Sequence, residues 1–163
     1  QDPREGGGRI VGEVCHFIDL MQFLTGAPVR RVYAEAVASR DHETPDEDSV
    51  LVTLRFADGS NGAVAYLAQG DRALPKECVE IYAEGRTFVI DDFRGATSYA
   101  GGRGRTKRLR GQDKGQREQT RAACAVVLGG LAAPIPLEDL EATTRATFRI
   151  LESLRTGQAV EVR

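Results

Sequence analysis

Two short turns constrain this chain most. Asp58-Gly59, within Ala57-Asp58-Gly59-Ser60, separates an alternating run from residues 62–67. Glu84-Gly85 separates residues 78–83 from 86–90 as a two-residue hairpin. Asp-Gly tolerates the positive φ of tight turns. Strands joined by two to four residues must run antiparallel, because a parallel return needs a long crossover. In the first run Val50, Val52, Leu54 and Phe56 alternate with Leu51, Thr53 and Arg55. Upstream, Val32, Ala34, Ala36 and Ala38 alternate with Arg31, Tyr33, Glu35 and Val37.

Helices flank these strands. Residues 13–24 form a helix with Phe17, Leu20, Met21 and Leu24 as its apolar stripe, stopped by Gly26 and Pro28. A second helix starts at Asp113, with Gln116 completing a capping box, and stops at Gly129-Gly130. A third starts near Pro136, buries Leu137, Leu140, Thr144, Phe148, Leu151 and Leu154, and ends at Gly157. Residues 159–162 suit a final short strand. The expected fold is α+β: one open, mostly antiparallel sheet with helices on one face. The other face carries Arg31, Tyr33, Val37, Leu51, Ala63, Ala65 and Leu67, too apolar for plain solvent, so it suits oligomerisation. Residues 94–117, polar and rich in Gly and Arg, read as a mobile loop or irregular strand.

At 163 residues the chain suits a single domain, residues 1–163. A net charge of −2 creates no global field that demands nucleic acid or a membrane. No run reaches the ~20 apolar residues of a membrane span. Cys15, Cys78 and Cys124 are odd in number and far apart, so free, inert core thiols in a reducing cytoplasm are expected. The chain opens without methionine on a glycine-rich stretch, as expected of a piece cut from a longer protein.

The chemistry-bearing residues gather near that opening. Gly6, Gly8 and Gly12 miss the dinucleotide spacing, and no βαβ unit follows, so no cofactor-binding residues are assigned. Glu13 and His16, three apart, share a face if both lie in the first turn of a helix, where unsatisfied N–H groups favour an anionic or carbonyl-bearing ligand. An imidazole there can accept or donate a proton near neutral pH. The same spacing also suits a core histidine bonded to a backbone carbonyl, the commoner role of a histidine on an apolar face. A Glu-x-x-His metal half-site lacks further ligands: His42, the only other histidine, lies in the acidic stretch 41–48 without matching spacing, so no metal residues are assigned. The cations from Arg94 to Arg117 suit a solvated loop, an anionic small molecule such as a sugar nucleotide, or a nucleic-acid backbone.

The stretch "GGGRIVGEVCHFIDLMQFLTGAPV" resembles the start of the C-terminal domain of the Gfo/Idh/MocA oxidoreductases, the family of glucose–fructose oxidoreductase and inositol dehydrogenase. "LVTLRFADGSNGAVAYLA", "KECVEIYAEGRTFVIDDFR", "DKGQREQ" and "PIPLEDLEATTRATFRILESLRTGQAVEV" continue the pattern over essentially the whole chain. The details look most like members fused behind a zinc-type alcohol dehydrogenase domain, or like sugar-nucleotide dehydrogenases. The resemblance implies a complete protein with an N-terminal Rossmann domain that binds NAD or NADP and supplies a catalytic lysine, absent from this chain. It implies a C-terminal α+β domain that binds a sugar-like substrate and oligomerises through its sheet. His16 matches the family histidine that moves a proton at the substrate hydroxyl or carbonyl. The family often has an aspartate four residues earlier, where this chain has Gly12, so Glu13 is the nearest carboxylate. Arg9 and Gly8, with Lys114 as a further candidate, would contact substrate. The isolated fragment is then expected to be inactive. A non-catalytic dimerisation module and a nucleic-acid-binding domain stay open as alternatives.

Overall fold

A computed structural model describes residues 8–37, 49–130 and 132–163. The acidic stretch 41–48, His42 and Ala38 lie outside them. The element order is a π-helical turn (Ile10–Val14), α1 (Cys15–Thr25), β1 (Val29–Ala36), β2 (Ser49–Phe56), β3 (Asn61–Leu67), β4 (Cys78–Ala83), β5 (Arg86–Asp91), β6 (Gly95–Ala100), β7 (Arg103–Arg108), α2 (Gln116–Gly129), α3 (Leu137–Thr156) and β8 (Val160–Glu161). The class is α+β, and every strand pairing among the described residues is antiparallel. The strands form two four-stranded sheets rather than one, ordered β3-β2-β1-β8 and β4-β5-β6-β7. They belong to two compact units, Gln1–Gln69 with Ile135–Arg163, and Gly70–Pro134.

The first unit holds the apolar core. β2 alternates as its residues dictate: Val50, Val52, Leu54 and Phe56 are buried, and Leu51, Thr53 and Arg55 are exposed. β1 departs from strict alternation. Val29 and Val32 are both buried because the register with β2 shifts between Val29 and Arg31. Such an irregularity lets two residues three apart face the same side. The turn after β2 has Gly59 at φ +96°, and Ser60 donates its N–H and its hydroxyl to the Asp58 carboxylate. Those hydrogen bonds lower the Asp58 pKa.

Both helices of this unit turn a different face to the core than their apolar spacing suggests. On α1 the buried residues are Ile18 and Gln22, continuing Ile10 and Val14 from the π turn. Phe17 and Met21 pack at the flank, and Leu24 is exposed. On α3 the buried residues are Thr143, Ala146, Thr147, Ile150 and Ser153; of the expected stripe Leu137, Leu140, Thr144 and Phe148 are exposed, and Leu151 and Leu154 pack half-buried against the core. The reason is close packing on a twisted sheet. Small residues let α3 approach β1, and hydroxyls find partners there. Ser153 accepts the Ala34 N–H at 3.0 Å and donates to the Gln158 carbonyl at 2.6 Å. Gln22 is buried yet satisfied. Its Nε2 donates to Thr143 Oγ1 at 2.7 Å, and its Oε1 accepts the Val29 N–H at 3.3 Å.

The second unit is a meander whose strands have few buried side chains. Glu84 and Gly85 both have positive φ, 49° and 72°, as a two-residue primed turn requires. Much of residues 94–117 is regular: β6 and β7 form a hairpin closed by Gly101-Gly102, both at positive φ. This hairpin has no apolar alternation to announce it, since β7 is exposed at every position. The capping box on α2 does not form. Gly115 is the N-cap, and Asp113 instead accepts the Gly115 N–H at 2.9 Å.

Replacing Gln22 by Ala should lower stability by about 2–3 kcal/mol, because a buried hydroxyl and a buried strand N–H lose their partner. Denaturant unfolding checks this. A loss under about 0.5 kcal/mol would mean water replaces the amide.

Candidate functional site at the first helix

The helical backbone does not begin at Glu13. Arg9 already has helical φ and ψ (−72°, −27°), and Gly8, at φ +74°, leads into it. Glu13 lies in the first turn of the π-helical segment, whereas His16 lies beyond it in α1, so the helix-mouth electrostatics expected for the pair does not reach His16. The backbone also widens upstream of His16. The Cys15 N–H bonds to the Ile10 carbonyl, an i→i+5 link. One extra residue in that turn swings the preceding side chains by about 100° relative to an unbroken α-helix. Glu13 and His16 are thus not an α-helical i,i+3 pair, and Gly12 is not one turn below His16. Single π turns are frequent at functional sites.

His16 is exposed. Within α1 it lies opposite the Ile18–Gln22 line, since two residues turn the helix by about 200°. It is neither packed in hydrocarbon nor needed by the core. Asp19, half-buried and three residues on within regular α-helix, shares its side. Spacing alone could have singled out Asp19. The carboxylates of Glu13 and Asp19 also both act on the neighbouring Cys15 thiol, whose pKa is pushed up first by burial and then by these charges.

Arg9 is half-buried, and its Nη1 donates to the Tyr66 hydroxyl at 3.2 Å. This contact ties the start of the helical path to β3, an edge strand of its sheet. Tyr66 had no local sequence signal, because the pair spans 57 residues. At its other end the helix approaches β3 at Gly62: a Cβ built there would lie 2.5 Å from Met21 Sδ and 3.2 Å from Phe56 Cε2. Lys114 belongs to the other unit. Its Nζ lies 2.7 Å from the Glu77 carboxylate and 5.9 Å from the Phe93 ring centroid. It is held in an ion pair rather than presented alone.

The Rossmann site for a nicotinamide dinucleotide is a parallel βαβ crossover whose helix N-terminus takes the pyrophosphate. The described strands pair only antiparallel, so these residues do not fit that group as its principal site. Among the described residues no three His, Cys, Asp or Glu side chains gather as metal ligands, and no helix is long and apolar enough to cross a membrane.

The sequence profile described as the GFO/IDH/MocA C-terminal domain matches residues 1–89. The chain belongs to this family. Its fold recurs in larger oxidoreductases. The aldose–aldose oxidoreductase of Caulobacter crescentus, solved with glycerol, is 19% identical, with a TM-score of 0.70 over 90% of this chain and 45% of that one. A UDP-N-acetylglucosamine 3-dehydrogenase from Acidithiobacillus ferrooxidans is 15% identical, with a TM-score of 0.73 over 94% and 49% of the two chains. An oxidoreductase from Agrobacterium radiobacter, in complex with NAD+, L-tartaric acid and magnesium, is 14% identical, with a TM-score of 0.74 over 92% and 48%. At these identities the likeness is one of fold. The GFO/IDH/MocA domain spans about half the length of these relatives. No curated protein matches the sequence significantly.

The cysteines separate by environment. Cys78 and Cys124 are exposed, not core residues, and Cys15 is half-buried. A thiol-reactive dye should label Cys78 and Cys124 fast and Cys15 at least several-fold slower at neutral pH, because its raised pKa leaves less thiolate. Mass spectrometry of a labelling time course reads this. Equal rates at all three would contradict the burial of Cys15.

Proposed function

We propose that this chain is the substrate-facing and assembling part of an NAD(P)-dependent oxidoreductase that acts on a sugar-like or sugar-nucleotide alcohol or ketone. The observation that carries this reading is an exposed His16 on a helix whose buried line leaves it free for chemistry. The family and the sugar-acting relatives support the substrate class. The dinucleotide would be held by a preceding Rossmann domain, or by a longer assembly that also carries a zinc-type alcohol dehydrogenase domain, and would supply the redox chemistry. This chain alone would then be inactive. Its three free thiols suit a cytoplasmic setting.

In this reading His16 takes the proton from a substrate hydroxyl, or returns it to a carbonyl oxygen. Arg9, steadied by Tyr66, orients a hydroxylated or anionic substrate, and Gly8 leaves the backbone open to it. With Gly12 in place of a carboxylate, Asp19 is better placed than Glu13 to orient the imidazole. Lys114 would reach substrate only by leaving Glu77.

In the complete protein, His16→Ala should lower kcat by about 10²–10⁴-fold with the melting temperature unchanged. Turnover within threefold of the wild type would reject the proton-transfer role.

A second reading, a non-catalytic assembly module, is favoured by the outer face of the first sheet. Leu51 and Leu67 are 48% and 58% exposed there, and Leu51 lies directly across from Ala65. We infer that a second copy covers this face. The double change Leu51→Arg and Leu67→Arg should shift the sedimentation coefficient to that of a monomer. An unchanged oligomer would place the interface elsewhere, and a wild-type monomer would remove the reading.

A further inference from the structure

We propose a separate binding surface on the second unit: a trough along β6 that takes a nucleoside diphosphate. It lies wholly within Gly70–Pro134 and is independent of the reading of His16.

The antiparallel register sets one face of this sheet in rows. Arg105 lies across from Ser98, which lies across from Phe88. Lys107 is likewise followed by Ala96 and Ile90, and Arg103 by Ala100 and Arg86. Side chains alternate along each strand, so all of these share one face. Small side chains from β6 thus form a floor between a cationic edge on β7 and the apolar pair Phe88 and Ile90 on β5, with Arg86 beyond them. The acids of these strands, Glu80 and Asp91, lie on the opposite face. Charge is also unspent here. Arg94, Lys114, Arg121, Arg145 and Arg149 each pair with a carboxylate. Among the described residues no salt bridge engages Arg86, Arg103, Arg105 or Lys107.

The dimensions select the ligand. Strands lie about 4.8 Å apart, so Phe88 and Arg105 stand about 9.6 Å apart across Ser98. The β7 cations follow one another every two residues, about 6.8 Å. Phe88 is 40% exposed and offers a face for a base to stack on. The Ser98 hydroxyl is placed under a ribose. The diphosphate then reaches Arg103, Arg105 and Lys107, where guanidinium and ammonium groups give charge-assisted hydrogen bonds. A nucleic-acid strand would stack successive bases on several aromatic side chains. This face has one, because Tyr82 and Tyr99 sit on the other side, in register with Thr87.

Isothermal titration of the chain with uridine diphosphate tests the proposal, with inorganic diphosphate and a ten-nucleotide oligo-dT as comparisons. Saturable 1:1 binding of uridine diphosphate is expected. The double change Arg103→Ala and Arg105→Ala should weaken it at least tenfold. Phe88→Ala should weaken uridine diphosphate and leave inorganic diphosphate unaffected, while Phe88→Tyr should retain binding. Arg108→Ala, on the opposite face, should leave affinity unchanged, and circular dichroism should show each variant folded. Absence of saturable binding at millimolar ligand would overturn the proposal. So would inorganic diphosphate binding as tightly as the nucleotide, which marks a bare anion patch. Tighter binding of the oligonucleotide, falling steeply with salt, would point to a polynucleotide surface instead. His16→Ala leaves this binding intact whatever it does to turnover, so the two readings fail separately.

Discussion

A buried side-chain amide holds the first unit in register. Gln22 reaches from α1 to the Thr143 hydroxyl on α3 and accepts the first N–H of β1. Removing such an amide from water is costly unless its donors and acceptors are met inside. Two helices and a strand must therefore arrive together for any of them to be satisfied. Ser153 does the same at the far end of α3, between the Ala34 N–H and the Gln158 carbonyl. Between these two polar ties the apolar residues of β1 and β2 pack against Ile18, Ala146 and Ile150. Hydrophobic burial drives the layer together, and the polar ties decide which faces meet.

That choice of faces controls the candidate site. Once Ile18 and Gln22 face the core, His16 must face outward on the same helix. The wide π turn before Cys15 then uncouples Glu13 from His16 and moves Gly12 off the line beneath it. The carboxylate left on a regular turn with His16 is Asp19. The helix path is held to β3 at both ends, by the Arg9–Tyr66 hydrogen bond and by the close approach of Met21 to Gly62. A side chain at position 62 would have to displace the Met21 thioether and crowd the Phe56 ring.

The second unit follows a different principle. Its four strands are joined by tight turns, and its side chains are mostly open to solvent. Local hydrogen bonds do more of the work. Asp92 and Phe93, both at positive φ, are held by Gln112, whose amide donates to the Asp92 carbonyl and carboxylate, and by Arg94 on the same carboxylate. The Lys114–Glu77 pair closes the loop beside them. Cations concentrated on β7 keep this edge strand from pairing with another sheet.

Local patterning alone determined the antiparallel strands on either side of Asp58-Gly59 and Glu84-Gly85, the glycine stops at Gly26, Gly130 and Gly157, and the α+β class, because turns, caps and period-two burial depend on residues a few positions apart. It also singled out His16 and Glu13 by their spacing, whereas Arg9 came only with the family resemblance. It could not set which stripe of α1 and α3 is buried, since Leu137, Leu140 and Phe148 carry the stronger apolar pattern and yet lie outside. The β6–β7 hairpin was hidden because strands with two open faces need no alternation. Tyr66 beside Arg9, the division into two sheets and the π turn were decided by tertiary structure. The first two depend on contacts between distant residues, and the π turn on a hydrogen-bond shift from Ile10 to Cys15 that no local pattern marks.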